Sequence, residues 1–346
     1  MKRLFIISLL ICISLVIGGW SEKAECAPAE QIKLNFVSDY PERHPAVVGA
    51  FKPWIKEIEE KSGNRVKFTF FTPNALVPQR DGYDSTVSGM VDVLNGFPPN
   101  TPGKFPLCSV TELPFVASSS VASARVIWEL NKKYPEWRKQ FEDTKILWFY
   151  SGDVAQVHTT KKLVKTLNDI KGMKIIGITP NAIERIRMLG GNPVEMTVMD
   201  VFLALERGMG EGLIMPFAAV RSLKVSDVAK YHTVLNMDTA AFYVVMNKNK
   251  FNSLPPDIQK IFEETTGEKM AILTSKAIAD TSTADKQWMK DNGHTIYDLP
   301  ETERAKMAEI LKPIYEKCVK DMEAKGYKNA REIMDYTLRL GKEFSK

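Results

Sequence analysis

The chain has 346 residues, 44% of them hydrophobic and 26% charged, and a formal net charge of +5. That length and apolar content suffice for two lobes, each with a core of its own. The charge is too small and too evenly spread for a nucleic-acid-binding protein.

At the start, Met1-Lys2-Arg3 precedes the uncharged run LFIISLLICISLVIGG, which has the length of a signal-peptide core and is short for a membrane span. Ala27-Pro28-Ala29 offers small residues for cleavage, so residues 1–29 are expected to be a cleaved signal peptide and the mature chain to begin near Glu30, in a periplasm. Cleavage after Cys26 is the alternative, although Lys23-Ala24-Glu25 lacks the leucine that a lipoprotein signal needs. Cys108 and Cys318 remain in the mature chain. They are expected as unpaired buried thiols; a disulfide is permitted outside the cytoplasm, but the spacing does not signal one.

The apolar residues of IKLNFVS alternate, as in a strand feeding a cleft at its C-terminal end, and Asp39 follows at once as a candidate ligand contact. Tyr40, Glu42, Arg43 and His44 are expected as solvated loop residues. Pro45 opens a helix whose Val47, Phe51, Trp54, Ile55 and Ile58 form one core-facing stripe. VKFTFF is a second strand, and the loop after it carries Gln79 as a weaker candidate. Phe97 lies in a loop with Pro98 and Pro99, and Asn100 follows. A helical segment runs toward Trp137 and Phe141, and KILWFYSG is a hydrophobic strand from which AQVHTTKK leaves for a second lobe.

Residues 167–216 read as strand, helix, turn, helix, strand: MKIIGI, NAIERIRML, the breaker GGNP, VMDVFLALERG, and a strand ending near Met215. Such a unit packs its helices on a parallel sheet and leaves ligand-binding loops at the strand ends, near Ile176 and Met215. TVLNMDTAAFYVVMN should return the chain to the first lobe, with Asp238 interrupting its apolar run; a carboxylate there needs a partner or an exposed edge, and a ligand ammonium is one candidate. A helical region then extends over residues 254–292, about 50 Å if unbroken. Residues 300–325 and 328–344 are amphipathic helices separated at Gly326.

The strings DIKGMKI, LGGNPV and DVFLALERGMGEG, followed by Pro216, resemble the substrate-binding proteins of tripartite ATP-independent periplasmic (TRAP) transporters, DctP-type, as do Leu113-Pro114-Phe115 and the G-x-x-D strand Gly89-Met90-Val91-Asp92 after a helix. The resemblance spans residues 32–292. It implies an α/β, two-lobed periplasmic binding protein of the Venus-flytrap kind, with a long helix spanning both lobes. Residues 30–154 with 242–280 would form lobe 1, and residues 155–241 with 281–346, including the C-terminal helices, lobe 2. Hinges are expected near residues 154–157 and 240–243. The protein would be a monomer that captures a small organic ligand and delivers it to TRAP permease membrane subunits.

By the same resemblance Phe97, Asn100, Gln156, Ile176, Val198 and Met215 would line the pocket. Three of these differ from the family pattern, which has arginine where this chain has Gln156 and Ile176, and asparagine where it has Met215. Guanidinium groups grip carboxylates through paired hydrogen bonds, so their absence disfavours a simple dicarboxylate or sugar acid. Apolar walls with a few fixed polar groups favour an apolar or aromatic ligand body. Arg80, Lys174 and Arg221 are the basic residues that could reverse that expectation.

No G-x-S-x-G elbow, H-E-x-x-H pair or P-loop occurs, and His44, His158, His232 and His294 lack metal-ligand spacing. The histidines are expected at the surface. No cofactor, metal, nucleic-acid partner or enzymatic activity is expected. The alternatives are an ABC-type binding protein, a ligand-presenting component of a periplasmic sensor system, and an enzyme on a similar fold.

Overall fold

Two sheets carry the molecule; the apolar patterning anticipates most strands of the first, but not Asn192–Glu195 and Thr295–Asp298 of the second. The computed structural model describes residues 31–198 and 200–346; the expected signal peptide lies outside them. The first sheet contains β1 (Ile32–Ser38), β2 (Val66–Phe71), β3 (Val93–Gly96), β4 (Thr144–Ser151) and β10 (Ala241–Asn247) in the order β2-β1-β3-β10-β4. β1 runs parallel to β2 and β3, whereas β10 lies antiparallel between β3 and β4. The second sheet, β11-β9-β5-β8-β6-β7, contains β5 (Gln156–Thr159), β6 (Lys174–Gly177), β7 (Asn192–Glu195), β8 (Gly212–Met215), β9 (Tyr231–Val234) and β11 (Thr295–Asp298).

Each sheet buries apolar residues on both faces. On one side of the first sheet Trp54, Phe36, Phe51, Trp148 and Phe262 interlock edge-to-face or tilted; on the other, Tyr83, Phe141, Phe149 and Tyr243 do the same, with Phe105 stacked on Phe141. The expected stripe from Val47 to Ile58 is therefore core, entered through a π-turn at Val47–Phe51. The second lobe has two smaller aliphatic cores, one around Ile175, Ile186 and Leu311 and the other around Ile176, Leu213 and Met215.

Two segments cross between the lobes and bond to each other on the way. Gly152 N donates to Ala240 O (2.8 Å), Ala155 N to Asp238 O (2.9 Å) and Met237 N to Ala155 O (3.0 Å). Helix Glu268–Asp291 spans both lobes as expected: Met270 and Ile278 pack in the first, while Met289 packs in the second and Ser282 meets Ala218 N. It is shorter than the 254–292 region. The chain breaks at Gly267, where φ is +80° and ψ is −148°, a conformation that a side chain disfavours, and the preceding residues form a separate helix, Pro256–Thr265.

Three further expectations need correction. GGNP is not a simple turn, because Asn192–Glu195 forms β7 alongside β6; alternation over four residues is too short to distinguish a strand from a turn exit. The C-terminal helices do not all belong to the second lobe. Helix Glu301–Ala324 packs Met307 and Leu311 there but Cys318, Val319 and Met322 into the first lobe, and helix Ala330–Phe344 buries Ile333, Met334 and Leu340 in that same first-lobe core. His158, His232 and His294 are buried rather than at the surface, at 0%, 0% and 7% exposure. Cys108 and Cys318 are free and buried, as expected, and burial pushes both thiols up from their ordinary pKa. Among the described residues no helix is long and apolar enough to cross a membrane, and no cluster of three or more His, Cys, Asp or Glu could hold a metal ion.

Candidate ligand-binding site

β1 and β3 run parallel, so both deliver their C-terminal residues to one end of the first sheet; antiparallel β10 starts there, and β4 ends there. The crossing segments leave from that same end, which makes it the end facing the second lobe. It collects Asp39, Phe97, Tyr150 and Phe242.

The aromatic rings there form a continuous surface. Phe97 stacks on Phe242 (centroids 4.8 Å apart, 24° between planes), and Phe242 stacks in turn on Tyr150 (5.3 Å, 16°). Tyr40 leans on Phe242 at 5.4 Å, and His44 stacks on Tyr40 at 3.6 Å and 7°. Offset stacking of this kind holds the rings in place while leaving part of them exposed. Tyr40, His44, Phe97 and Phe242 are half-buried, and Tyr150 is fully buried. Gly152 admits the Phe242 ring: an added Cβ would stand 3.2 Å from Phe242 Cε2.

Asp39 sits at the edge of this surface. Its Oδ2 accepts from Asn100 Nδ2 at 2.8 Å, its carbonyl accepts from Gln79 Nε2 at 3.2 Å, and its N–H donates to Asn95 O at 3.2 Å. Burial pushes the carboxyl up to about 6, against hydrogen bonds from Gln79, Asn100 and the Phe97 backbone that favour the anion. Burial lowers His44 to about 4, so its Nδ1 is free to accept from Ala46 N at 3.2 Å. Asp39, Gln79, Phe97 and Asn100 are thus brought together as the sequence suggests. Tyr40 and His44, expected as solvated loop residues, are instead half-buried in the ring stack, and Phe242 was not singled out; a ring flanking Asp39 in the loop after β1 was the available signal for Tyr40.

The second lobe presents its candidates differently. Gln156 is 3% exposed, and its amide is consumed by the protein. Oε1 accepts from Leu235 N (2.7 Å) and Asn236 N (2.9 Å), while Nε2 donates to Asn236 Oδ1 (2.7 Å) and Val154 O (3.3 Å). The expectation that Gln156 offers hydrogen bonds to a ligand is corrected accordingly; it ties β5 to the return crossing. Ile176 and Met215 are 1% and 3% exposed and belong to a packed core, with Ile176 filling the space over Gly210. Val198 is 42% exposed.

Asp238 has found a partner that sequence reading missed. Arg185 Nη2 lies 2.8 Å from Asp238 Oδ2, with the two side chains 12% and 13% exposed. The approach is off the hydrogen-bonding direction, so the contact is a charge pair rather than an aligned bond. Arg185 also donates to Glu112 O at 3.4 Å, reaching from the second lobe to the first. Arg80, Lys174 and Arg221 stay away from the aromatic surface. Arg80 is exposed beside Asp81, Lys174 is exposed at the far end of β6, and Arg221 pairs with Asp285 and lies over the Trp288 ring.

These lobes, crossings and strand-end site define a class, the two-lobed extracytoplasmic solute-binding proteins. Residues 36–321 match the family described as DctP, bacterial extracellular solute-binding protein, family 7, and the chain belongs to that family. Its members are TRAP solute-binding proteins, a transport class located in the periplasm rather than a class of enzymes. The fold is similar to a TRAP solute-binding protein of Rhodoferax ferrireducens in complex with copurified benzoate, at 26% identity and a TM-score of 0.80, covering 91% of this chain and 99% of that one. It is also similar to a marine-metagenome TRAP protein specific for aromatic acid ligands, in complex with 3-hydroxybenzoate, at 25% identity, a TM-score of 0.81 and coverages of 91% and 99%. A protein of Chromohalobacter salexigens with bound D-glucuronate matches at 19% identity and a TM-score of 0.74, covering 89% of this chain and 99% of that one, and shows the fold alone.

Proposed function

We propose that this protein captures a small organic molecule with an aromatic or apolar body by closing its lobes, and delivers it to a TRAP permease driven by an ion gradient. Export by a cleaved leader, residues 1–29, belongs to this reading. The observation that carries it is the half-buried surface of Tyr40, Phe97 and Phe242 at the lobe-facing strand ends. Flat rings recognise a flat or apolar body through area and stacking, and Asn100 and Asp39 beside them fix its orientation. The aromatic acids bound by two relatives of 25–26% identity support the ring preference. Closure would bend the crossings near residues 154–157 and 240–243, with the ligand stabilising the closed state by contacts available only there.

A thermal-shift screen tests this reading. Aromatic acids and aromatic amines are compared with C4-dicarboxylates and sugar acids. A compound at a hundred times its dissociation constant adds about 2.7 kcal/mol, visible as a clear rise in Tm. Stabilisation is expected from the aromatic sets, together with a smaller radius of gyration in solution scattering. Stabilisation by succinate or glucuronate alone would refute the ligand assignment, and an unchanged radius at saturation would refute closure.

A further inference from the structure

Asp39 is an acidic side chain at the edge of the aromatic surface, and it has no ion-pair partner among the described residues; its side-chain bond is to the neutral amide of Asn100. Burial keeps the Tyr40, Tyr150 and Tyr243 phenols neutral, and the nearby Asp39 charge adds a smaller push in the same direction. His44, stacked on Tyr40, is neutral too. The lobe-facing end of the first sheet therefore sets the unpaired Asp39 carboxylate beside several ring faces, and Asp153, which follows Gly152 there and bonds to Ser282, is a second carboxylate with no ion-pair partner among the described residues. Ring faces attract positive charge, and a partly buried carboxylate adds a Coulombic attraction that water screens weakly. A ligand carboxylate in the same place would meet repulsion and lose its hydration without a cationic partner.

Resting on the aromatic-body reading above, we infer that the ligand carries a positively charged nitrogen, an ammonium on a small aromatic or apolar body, held between Asp39 and the Tyr40, Phe97 and Phe242 rings. Asn100 orients the Asp39 carboxylate rather than contacting the cation, since its amide already donates to Oδ2.

Calorimetric titration of the purified protein with benzylamine, benzoate and succinate tests the inference. Benzoate shares the ring of benzylamine but carries a carboxylate in place of the ammonium, and succinate has carboxylates and no ring. At pH 8 benzylamine is expected to bind more tightly than benzoate. Between pH 8 and pH 5 its affinity should fall roughly tenfold, because a carboxyl titrating at about 6 is mostly protonated at the lower pH while the probe stays charged. Asp39→Asn should weaken benzylamine at least tenfold at pH 8 and flatten its pH dependence. The pH series on the unaltered protein decides the matter if that variant folds poorly. Tighter binding of benzoate, benzylamine binding that does not respond to pH or to Asp39→Asn, or no benzylamine binding would overturn the charge assignment. In the first two cases the aromatic-body reading stands; binding of succinate with neither ring compound would remove both.

Discussion

His158 Nδ1 and His232 Nδ1 lie 2.7 Å apart where β5 and β9 pair, and the contact belongs to a chain whose proton positions follow from its two ends. At one end His158 Nε2 is 2.8 Å from Met215 O, which only accepts, so Nε2 carries the proton and Nδ1 of the neutral ring accepts. His232 then donates from Nδ1 and accepts at Nε2, 2.8 Å from His294 Nδ1, which must donate. At the other end Lys230 Nζ, a donor only, meets His294 Nε2 at 3.2 Å. Every bond points from Lys230 toward Met215.

An added proton would place two donors face to face, and burial already lowers His158 to about 4, His232 to about 2 and His294 below its ordinary value. The unfolded chain therefore binds more protons below about pH 6.5, and stability contributed by these rings is complete above that pH and declines as pH falls toward 4. Chemical denaturation at pH 7 and pH 5 should show the loss. His232→Leu orphans two buried groups and should cost about 2–5 kcal/mol at pH 7 while reducing the acid sensitivity. Nitrogen NMR should find the Nε2-protonated tautomer for His158 and the Nδ1-protonated one for His232 and His294; any other set contradicts the chain.

Arg185 and Asp238 form a pair between the helix Pro180–Met188 and the return crossing. Arg185→Leu leaves a buried carboxylate uncompensated and is expected to destabilise by about 3–5 kcal/mol, whereas Arg185→Leu with Asp238→Leu should recover much of that. A double-variant loss equal to the sum of the two single-variant losses would show that the pair is not coupled. Glu112 nearby is pushed up to about 8 by burial, so the folded state holds its proton between about pH 4.5 and 8 and this group lowers stability as pH rises through that window. Glu112→Gln should therefore stabilise more at pH 8 than at pH 5, the opposite pH trend from the histidines.

Helix Ala330–Phe344 docks on the first lobe through Gly341, where an added Cβ would fall inside the contact distance of the Val116 carbonyl oxygen. Gly341→Ala must displace the helix or the Val116 strand of chain, at a cost of about 1–3 kcal/mol. Faster amide exchange across residues 330–344 would locate the damage; unchanged exchange and stability would contradict the docking.

The strands and both lobes were legible because apolar alternation and uninterrupted apolar runs report burial directly. Asp39 and Gln79 drew notice by following recognisable strands, and Phe97 and Asn100 by the family resemblance; the structure puts the four side by side. Phe242 could not, since AFYVVMN is apolar throughout and buried on both faces, which hides which ring reaches the strand end. Ile176 and Met215 occupy pocket positions by resemblance, yet their side chains finish the core between β6 and β8. Arg185 and the histidines were invisible for another reason: polar side chains read as surface residues unless their partners, which are distant in sequence, are known. The C-terminal helices show the same limit, because an amphipathic stripe predicts burial without saying against which lobe.

The central claim is that the ligand rests on the rings at the end of the first sheet, and Phe242→Ala tests it most directly. The ligand-induced rise in Tm is measured for the unaltered protein and the variant, each against its own ligand-free value, with benzylamine, benzoate and 3-hydroxybenzoate. The account predicts a rise from at least one ring compound in the unaltered protein and its loss, by tenfold or more in affinity, in the variant. An undiminished rise in Phe242→Ala would place the ligand elsewhere and contradict the account.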